Sequence, residues 1–521
     1  MRVAPGTPLT VANAPAMCVN VPENRTSRSP SEPTVSSTFT VAPSLADSPA
    51  RTGTAHPAKA APVADVLSVP SGLPLPPGML LHTVQRGESL GTLVHLYLPK
   101  TRYMTGSELQ AAMRANNEGL KGNAPKPGQD VLIPGYEPEW HERPLPIPRD
   151  FEVRAIYLTG IMAGSARGLD LVRRWRELGG NAVVFDVKDS DGLVNVPFEY
   201  PLLHAAAQFK AESPMAGRST PPLRNLPKYV GWLHAQNLHA IARIAIFRDE
   251  YLVTHHPELA VRSRQSGAPW RENGKLVWTD PSNPEVQAYN IALARYAAES
   301  GADEVQFDYV RFPAEGNQKD AQFAYQKSHP ETQRSDVIVD FLRAAHESLH
   351  PLNVLLSLDV FGVMAWQRPV DLAHTGQDIA RMAQHCDVLS PMIYPSHFFG
   401  MDGYKDPGDA PEHFIGESMA RFQEVTRESG VTLRPWLQAF AWRTRTYSSD
   451  YILKQVATAK ENGGIGFLFW NARNDYAKPL TAMPVMWAKP GHYFRGDELP
   501  QQKASILPLA QPSVVLHAPS Y

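Results

Sequence analysis

From residue 150 onward, short apolar runs alternate with longer amphipathic stretches, the signature of repeated βαβ units. The apolar runs predict eight strands: Arg154–Thr159, Ala182–Lys188, Ala240–Phe247, Glu304–Val310, Val354–Phe361, Val388–Tyr394, Arg434–Ala441 and Gly466–Trp470. Helical periodicity between them predicts helices at Leu169–Leu178, Leu226–Gln236, Pro284–Glu299, Val337–Leu349, Gly376–Gln384, Pro411–Ser429 and Asp450–Asn462. Ser282 followed by Glu285 reads as a capping box, and the strings RELGG, ESG and ENGG supply glycine stops. Eight strands alternating with helices point to the α/β class and a closed (β/α)8 TIM barrel. An open doubly wound sheet fits less well, because no glycine-rich phosphate loop follows the first strand.

Within the strands, side chains of one parity face the helices and those of the other face the barrel axis. Strand two sets Phe185 and Val187 against Asp186 and Lys188; strand three sets Ile244 and Ile246 against Arg243. Strand four opposes Val305 and Phe307 to Gln306 and Asp308, strand five opposes Leu356, Leu358 and Val360 to Ser357 and Asp359, and strand seven opposes Leu437 and Ala439 to Trp436 and Gln438. Polar groups therefore gather on the axis side near the C-terminal strand ends, where such barrels carry their active sites. Burying Asp186, Asp308 and Asp359 unpaired would cost several kcal/mol each, so Lys188, Arg243 and Arg311 are their expected companions.

Glycoside hydrolysis needs two such carboxyl groups. One protonates the leaving oxygen, and the other attacks the anomeric carbon or activates water. Asp308, close to Arg311 in the chain, is expected to be the nucleophile or base. Asp359, among Leu358, Val360 and Phe361, is expected to have a raised pKa and to be the acid. Asp186 completes the catalytic set, and Asp189 either orients substrate or replaces one of that pair. Tyr309, Trp366, Tyr394, Trp436, Trp442 and Trp470 offer ring faces against which a pyranose could stack. The substrate-binding expectation comprises Lys188, Asp189, Arg243, Arg311, Tyr394, Trp436, Gln438 and Trp470. A salt-bridged mouth without chemistry is the competing expectation, in which the barrel binds glycan as an envelope scaffold.

The flanks differ in kind. Residues 1–78 are rich in Pro, Ser, Thr and Ala without apolar periodicity, which predicts a disordered arm. A short unit spans 79–135, a proline-rich linker covers 136–150, the barrel covers 151–490, and residues 491–521 read as a loose tail. The short unit opens with Leu81-His82-Thr83-Val84 and the string GESL, has a helix at Ser107–Asn116, and closes with KPGQDVLIP at 126–134. This β-α-α-β order resembles a LysM domain, which implies binding of N-acetylglucosamine-containing polymers; the stretch Tyr97–Gly106 is longer than is usual between the helices.

Composition narrows the classes. With 50 Lys+Arg against 52 Asp+Glu, the charge gives no support for a nucleic-acid partner. No run of 18 apolar residues exists to suggest a transmembrane segment. Cys18 and Cys386 are too few for a disulfide framework. No apolar segment follows Arg2 to suggest a secretory signal, and none precedes Cys18 to support acylation there. The periplasm or cell exterior is thus expected only through the glycan-binding module. His346-Glu347-Ser348-Leu349-His350 matches the H-E-x-x-H zinc signature, but it ends an outer helix before Pro351; His255-His256 has no spaced partners. No metal or cofactor is expected.

The block WTDPSNPEVQAYNIALARYAAESGADEVQFDYVRFP at 278–313 resembles a bacterial glycosyl hydrolase family of predicted TIM barrels. NAVVFDVKDSDG at 181–192, AIARIAIFRD at 240–249 and VLSPMIYPSHF at 388–398 are similar to its other blocks. The resemblance covers about 150–480. It implies the barrel fold and a carbohydrate substrate, with family acidic positions at Asp186, Asp308 and Asp359. The combined expectation is a LysM-like module joined to a glycosidase that cleaves a bacterial envelope or extracellular polysaccharide.

Overall fold

The structure, a computed structural model, describes Leu75 and residues 77–120, 124–137, 147–203 and 221–496. The expected arm at 1–78 lies almost wholly outside the described residues, as do most of the linker and of the tail.

Eight parallel strands close into a barrel. They are Val153–Leu158, Ala182–Lys188, His239–Ala245, Glu304–Asp308, Leu355–Phe361, Val388–Ile393, Thr432–Leu433 resuming at Trp436–Gln438, and Gly466–Trp470. Each pairs with the next in sequence, and the eighth pairs with the first. The seventh strand is interrupted at Pro435, which has no N–H to give the ladder. Closure between the eighth and first strands depends on Gly466: its φ is +77°, and a Cβ there would lie 2.0 Å from the Val153 carbonyl oxygen.

The two parities separate two cores. Val183, Phe185, Ile244, Phe307, Leu356 and Leu358 pack outward beneath the helices, while Ala155, Val184, Ile241 and Leu468 fill the barrel interior. At the N-terminal end the buried Glu304 pairs with Arg434 at 2.7 Å and His239 at 3.0 Å. Burial opposes its charge, but Arg434 and the His239 hydrogen bond outweigh burial and bring its carboxyl down to about 2. This buried ion pair lies at the bottom of the barrel and leaves the opposite mouth for chemistry.

The predicted helix at Pro284–Glu299 forms with those bounds, but its cap differs from expectation. Asn283, not Ser282, is the N-cap, accepting from the Glu285 and Val286 N–H groups, while the Ser282 hydroxyl turns back to Asp280 at 2.7 Å. Pro284 at the first helical position fixes that choice, since proline pre-sets helical φ just after the cap. Asn283→Ala is expected to destabilise the chain by about 1 kcal/mol. Denaturant unfolding checks this, and an unchanged midpoint would remove Asn283 as the stabilising cap.

The short unit is a strand Met79–Thr83, helices Leu90–Tyr97 and Gly106–Asn116, and a strand Asp130–Pro134 that pairs antiparallel with the first. Its own core comprises Val84, Leu90, Leu93, Leu109, Met113, Leu120, Val131 and Ile133. The long inter-helix stretch has a use: the Leu98 carbonyl accepts from the Lys228 ammonium of the barrel. Glu108, which closes the capping box with Thr105, also reaches Arg173 of the barrel helix Ala166–Glu177 at 2.5 Å.

Candidate active site

Arg243, on the third strand and buried, organises the mouth. Its Nη1 lies 2.5 Å from Asp186 Oδ1, its Nη2 lies 2.5 Å from Asp308 Oδ2, and its Nε lies 3.8 Å from Asp359 Oδ2. Alternation on strands two to five thus delivers three carboxyl groups to one guanidinium. Each has further partners. Asp186 Oδ2 accepts from the Tyr157 hydroxyl at 2.5 Å, and Asp359 Oδ1 accepts from Trp436 Nε1 at 2.6 Å and Gln306 Nε2 at 2.8 Å. Asp308 Oδ1 accepts from the Tyr309 N–H at 2.6 Å. Tyr309 reaches that geometry with φ +53°, a left-handed conformation that a tyrosine adopts only under constraint.

One guanidinium cannot balance three carboxylates. Burial, then the Asp308 charge, pushes Asp359 well above the usual carboxylate range despite Arg243 nearby. Burial also raises Asp186. For Arg243, burial works against the charge, but Asp186 and Asp308 outweigh it and hold the guanidinium charged. The mouth thus raises the proton affinity of Asp359 and Asp186, and such tuning is what acid–base chemistry uses. Tyr157 stacks on Trp470 with centroids 4.1 Å apart, and Arg243 lies 5.2 Å from the Trp470 ring. Trp470 is half-buried, so part of it is open at the mouth.

Other expected residues lie elsewhere. Lys188 is not a companion of Asp186. The ladder slips between Asp186 and Lys188, and the Lys188 ammonium turns outward to Asp249 at 2.8 Å and Asn290 at 2.9 Å. The bulge reverses the alternation from that point. The guanidinium on Asp308 belongs to Arg243, whereas that of Arg311 lies 4.3 Å from the Phe361 ring and 4.6 Å from Trp278. The left-handed turn at Tyr309 ends the strand, so counting past Asp308 misplaces Arg311. Gln438 has its amide engaged by Phe440 O, the Thr444 hydroxyl and the Ser396 N–H, stapling two loops rather than facing a ligand. Trp436 is buried behind Asp359, and Trp366 packs on Phe398 beneath Arg421. Tyr394 meets Phe440 edge-on beside His397, whose ring also approaches Trp442 at 5.0 Å.

Sequence reasoning missed Tyr157, the hydroxyl on Asp186, although its axis-facing parity on strand one was available. It also missed Arg248, which bridges Tyr309 OH at 3.1 Å and Asp191 at 3.2 Å, and His397, whose burial and nearby Arg443 bring its pKa down to about 4. Both follow strand ends, where alternation gives no guidance. His346 and His350 stand at the end of the outer helix Arg334–Leu349, and no group of three metal-ligating side chains is found among the described residues.

A closed (β/α)8 barrel with ionisable groups gathered at its C-terminal strand ends defines the barrel-enzyme class. Within it, the chain belongs to the family described as "Putative glycosyl hydrolase domain", which matches residues 155–476. The protein is by that membership a glycosidase of the TIM-barrel type. No curated protein matches the chain. Among solved structures, a hypothetical protein from Ruminiclostridium thermocellum is 35% identical over 39% of this chain and 97% of its own, with a TM-score of 0.33. The PgaB (BpsB) glycoside hydrolase domain of Bordetella bronchiseptica is 15% identical over 64% and 98%, with a TM-score of 0.46. The spore cortex-lytic enzyme SleL of Bacillus megaterium is 12% identical over 80% and 86%, with a TM-score of 0.38.

Proposed function

We propose that the protein hydrolyses a bacterial cell-envelope or extracellular polysaccharide, with Asp308 as the nucleophile or base of the barrel site. The observation that carries this reading is the convergence of Asp186, Asp308 and Asp359 on Arg243 beneath the half-open face of Trp470. A structural salt bridge needs one carboxylate per guanidinium. A surplus of buried carboxyl groups costs stability and is expected where charge must change during a reaction. Asp308 is the most exposed of the three, and its Oδ1 is aimed by the strained turn at Tyr309. Asp359 is sealed, with one oxygen accepting two hydrogen bonds and the other facing Arg243, so it acts by holding Arg243 and Trp436 in place. Asp186 fixes Arg243 and Tyr157 in the same way.

The polymer class follows from the LysM-like unit at 79–135, which the Glu108–Arg173 contact fastens to the barrel flank. Such a tether raises the local concentration of polymer at the mouth. The second reading, a glycan-binding scaffold without turnover, draws support from the near-complete burial of Asp186 and Asp359. The full chain is to be incubated with peptidoglycan sacculi and bacterial exopolysaccharides, with reducing ends and bound polymer both measured. Release of reducing ends is expected; retention of polymer without release would favour the scaffold.

A further inference from the structure

We infer that Asp189 is the proton donor of this site, an assignment that rests on the glycosidase reading. The second strand carries a bulge between Asp186 and Lys188. Without it Lys188 would face the barrel axis and Asp189 would face the helices. With it Lys188 is buried outward against Asp249, Asn290 and the Tyr289 ring, and alternation resumed one residue late assigns the next side chain, Asp189, to the mouth. The Asp189 carboxyl acts electrostatically on Asp186, Tyr157 and Arg248, and on Lys188 and Tyr289 behind it.

Its two oxygens are treated differently. Oδ1 accepts the N–H groups of Asp191 and Leu193, both at 3.0 Å, which pins the carboxyl in one orientation. Oδ2 has no hydrogen-bond partner among the described residues, and the residue is half-buried where Asp186 and Asp359 are sealed. The turn that presents it is braced from behind. Gly192 has φ +86°, and a Cβ there would lie 2.0 Å from Asp249 Oδ1, so glycine lets the turn settle on the Lys188–Asp249 pair. Burial, then the charges of Asp191 and Asp186, pushes the carboxyl up to about 8, so it carries a proton at neutral pH. Asp359, whose carboxyl is also pushed up by burial, is almost fully enclosed, where Asp189 is half-buried.

The step balances. As the bond from the anomeric carbon to the leaving oxygen breaks, the Asp189 O–H proton passes to that oxygen and the sugar chain departs as a neutral alcohol. Asp308 bonds the anomeric carbon, or takes a proton from the water that does, after which Asp308 and Asp189 return to their starting states by proton exchange with solvent. Where a glycosyl ester forms, water displaces it while the Asp189 carboxylate takes the water proton, which restores both groups.

The test uses the full-length chain and its Asp189→Asn and Asp189→Glu variants. The substrates are peptidoglycan sacculi, a bacterial exopolysaccharide, and the 2,4-dinitrophenyl glycosides of glucose, galactose and N-acetylglucosamine. A dinitrophenolate leaves without a proton, whereas a sugar hydroxyl does not. Asp189→Asn is expected to lose about 10²–10⁴-fold on polymer while keeping, on the dinitrophenyl glycoside, its kcat/KM and first-turnover release of dinitrophenolate, the step that needs no proton, with partial recovery in Asp189→Glu. The alkaline limb of the wild-type pH profile should disappear with it. Equal loss on both substrate types, or undiminished cleavage of polymer, would overturn the assignment while leaving the glycosidase reading intact. Wild-type silence on every substrate would remove both. A carboxyl-carbon NMR titration is independent of substrate: the Asp signal absent from Asp189→Asn should titrate near neutrality or above, and titration in the ordinary carboxylate range overturns the proton-donor role.

Discussion

Arg243→Met is expected to destabilise the barrel at neutral pH by about 3–5 kcal/mol, the cost of removing one partner from a buried ion pair. The methionine fills much of the same space, so packing against Tyr157 and Trp470 is largely kept and the loss is electrostatic. Asp186, Asp308 and Asp359 would then share a buried mouth without the guanidinium that holds them. They would respond by retaining protons. A carboxyl whose folded pKa lies above its unfolded value contributes stability that is fully present below the unfolded value and is lost as pH rises through the folded one. Burial already raises Asp186 and Asp359 in the wild type, and losing the cation raises them further. The gap between variant and wild type should therefore be small near the ordinary carboxylate pKa of about 4 and widen toward neutrality. Denaturant unfolding at acid and neutral pH measures this. Arg243→Lys should fall between, because one ammonium cannot engage Asp186 and Asp308 from opposite ends of a fork. A variant as stable as wild type at neutral pH would mean that the cluster is already neutral, and with it the account of the mouth would fall.

Much of this arrangement was legible in the letters because strand alternation is a rigid geometric rule. Arg243, Asp308 and Asp359 sit where parity puts them, on strands whose bounds shift by only a residue or two from expectation. The rule failed where the ladder itself changes. The slip after Asp186 arises from how two strands pair, which no single run of residues records, and it turned Lys188 away from the barrel axis. The turn at Tyr309 ended the count that placed Arg311 beside Asp308. Short paired segments such as Arg262–Ser263 with Ala321–Gln322 have two residues each, too few to show any period. The cap at Asn283 could have been read, since two capping residues in a row are resolved by the proline that follows them.

Asp308→Asn is expected to lower turnover on polymer by roughly 10³–10⁵-fold, the scale on which loss of a nucleophile or its activating base registers. The amide keeps the shape of the carboxyl, and its oxygen can still accept from the Tyr309 N–H, so the fold should survive. The side effect on stability separates catalysis from architecture. Asp308 forms an ion pair with Arg243, so losing it forfeits attraction; it also repels Asp359, whose pKa it helps to raise. Arg243 retains Asp186 and comes to serve two carboxyl groups rather than three. With that repulsion gone the folded pKa of Asp359 falls toward its unfolded value, and the stability lost as pH rises above the carboxylate range becomes smaller. The variant should therefore match or exceed the wild type in thermal stability at neutral and mildly alkaline pH while being nearly inactive. A residue kept only for structure would show the opposite, a loss of stability with binding and any turnover little changed. An active Asp308→Asn would move the nucleophile elsewhere. A destabilised variant whose binding and turnover are kept would return Asp308 to the role of a structural ion pair, because a site that sacrifices stability for chemistry gains it back when the chemistry is removed.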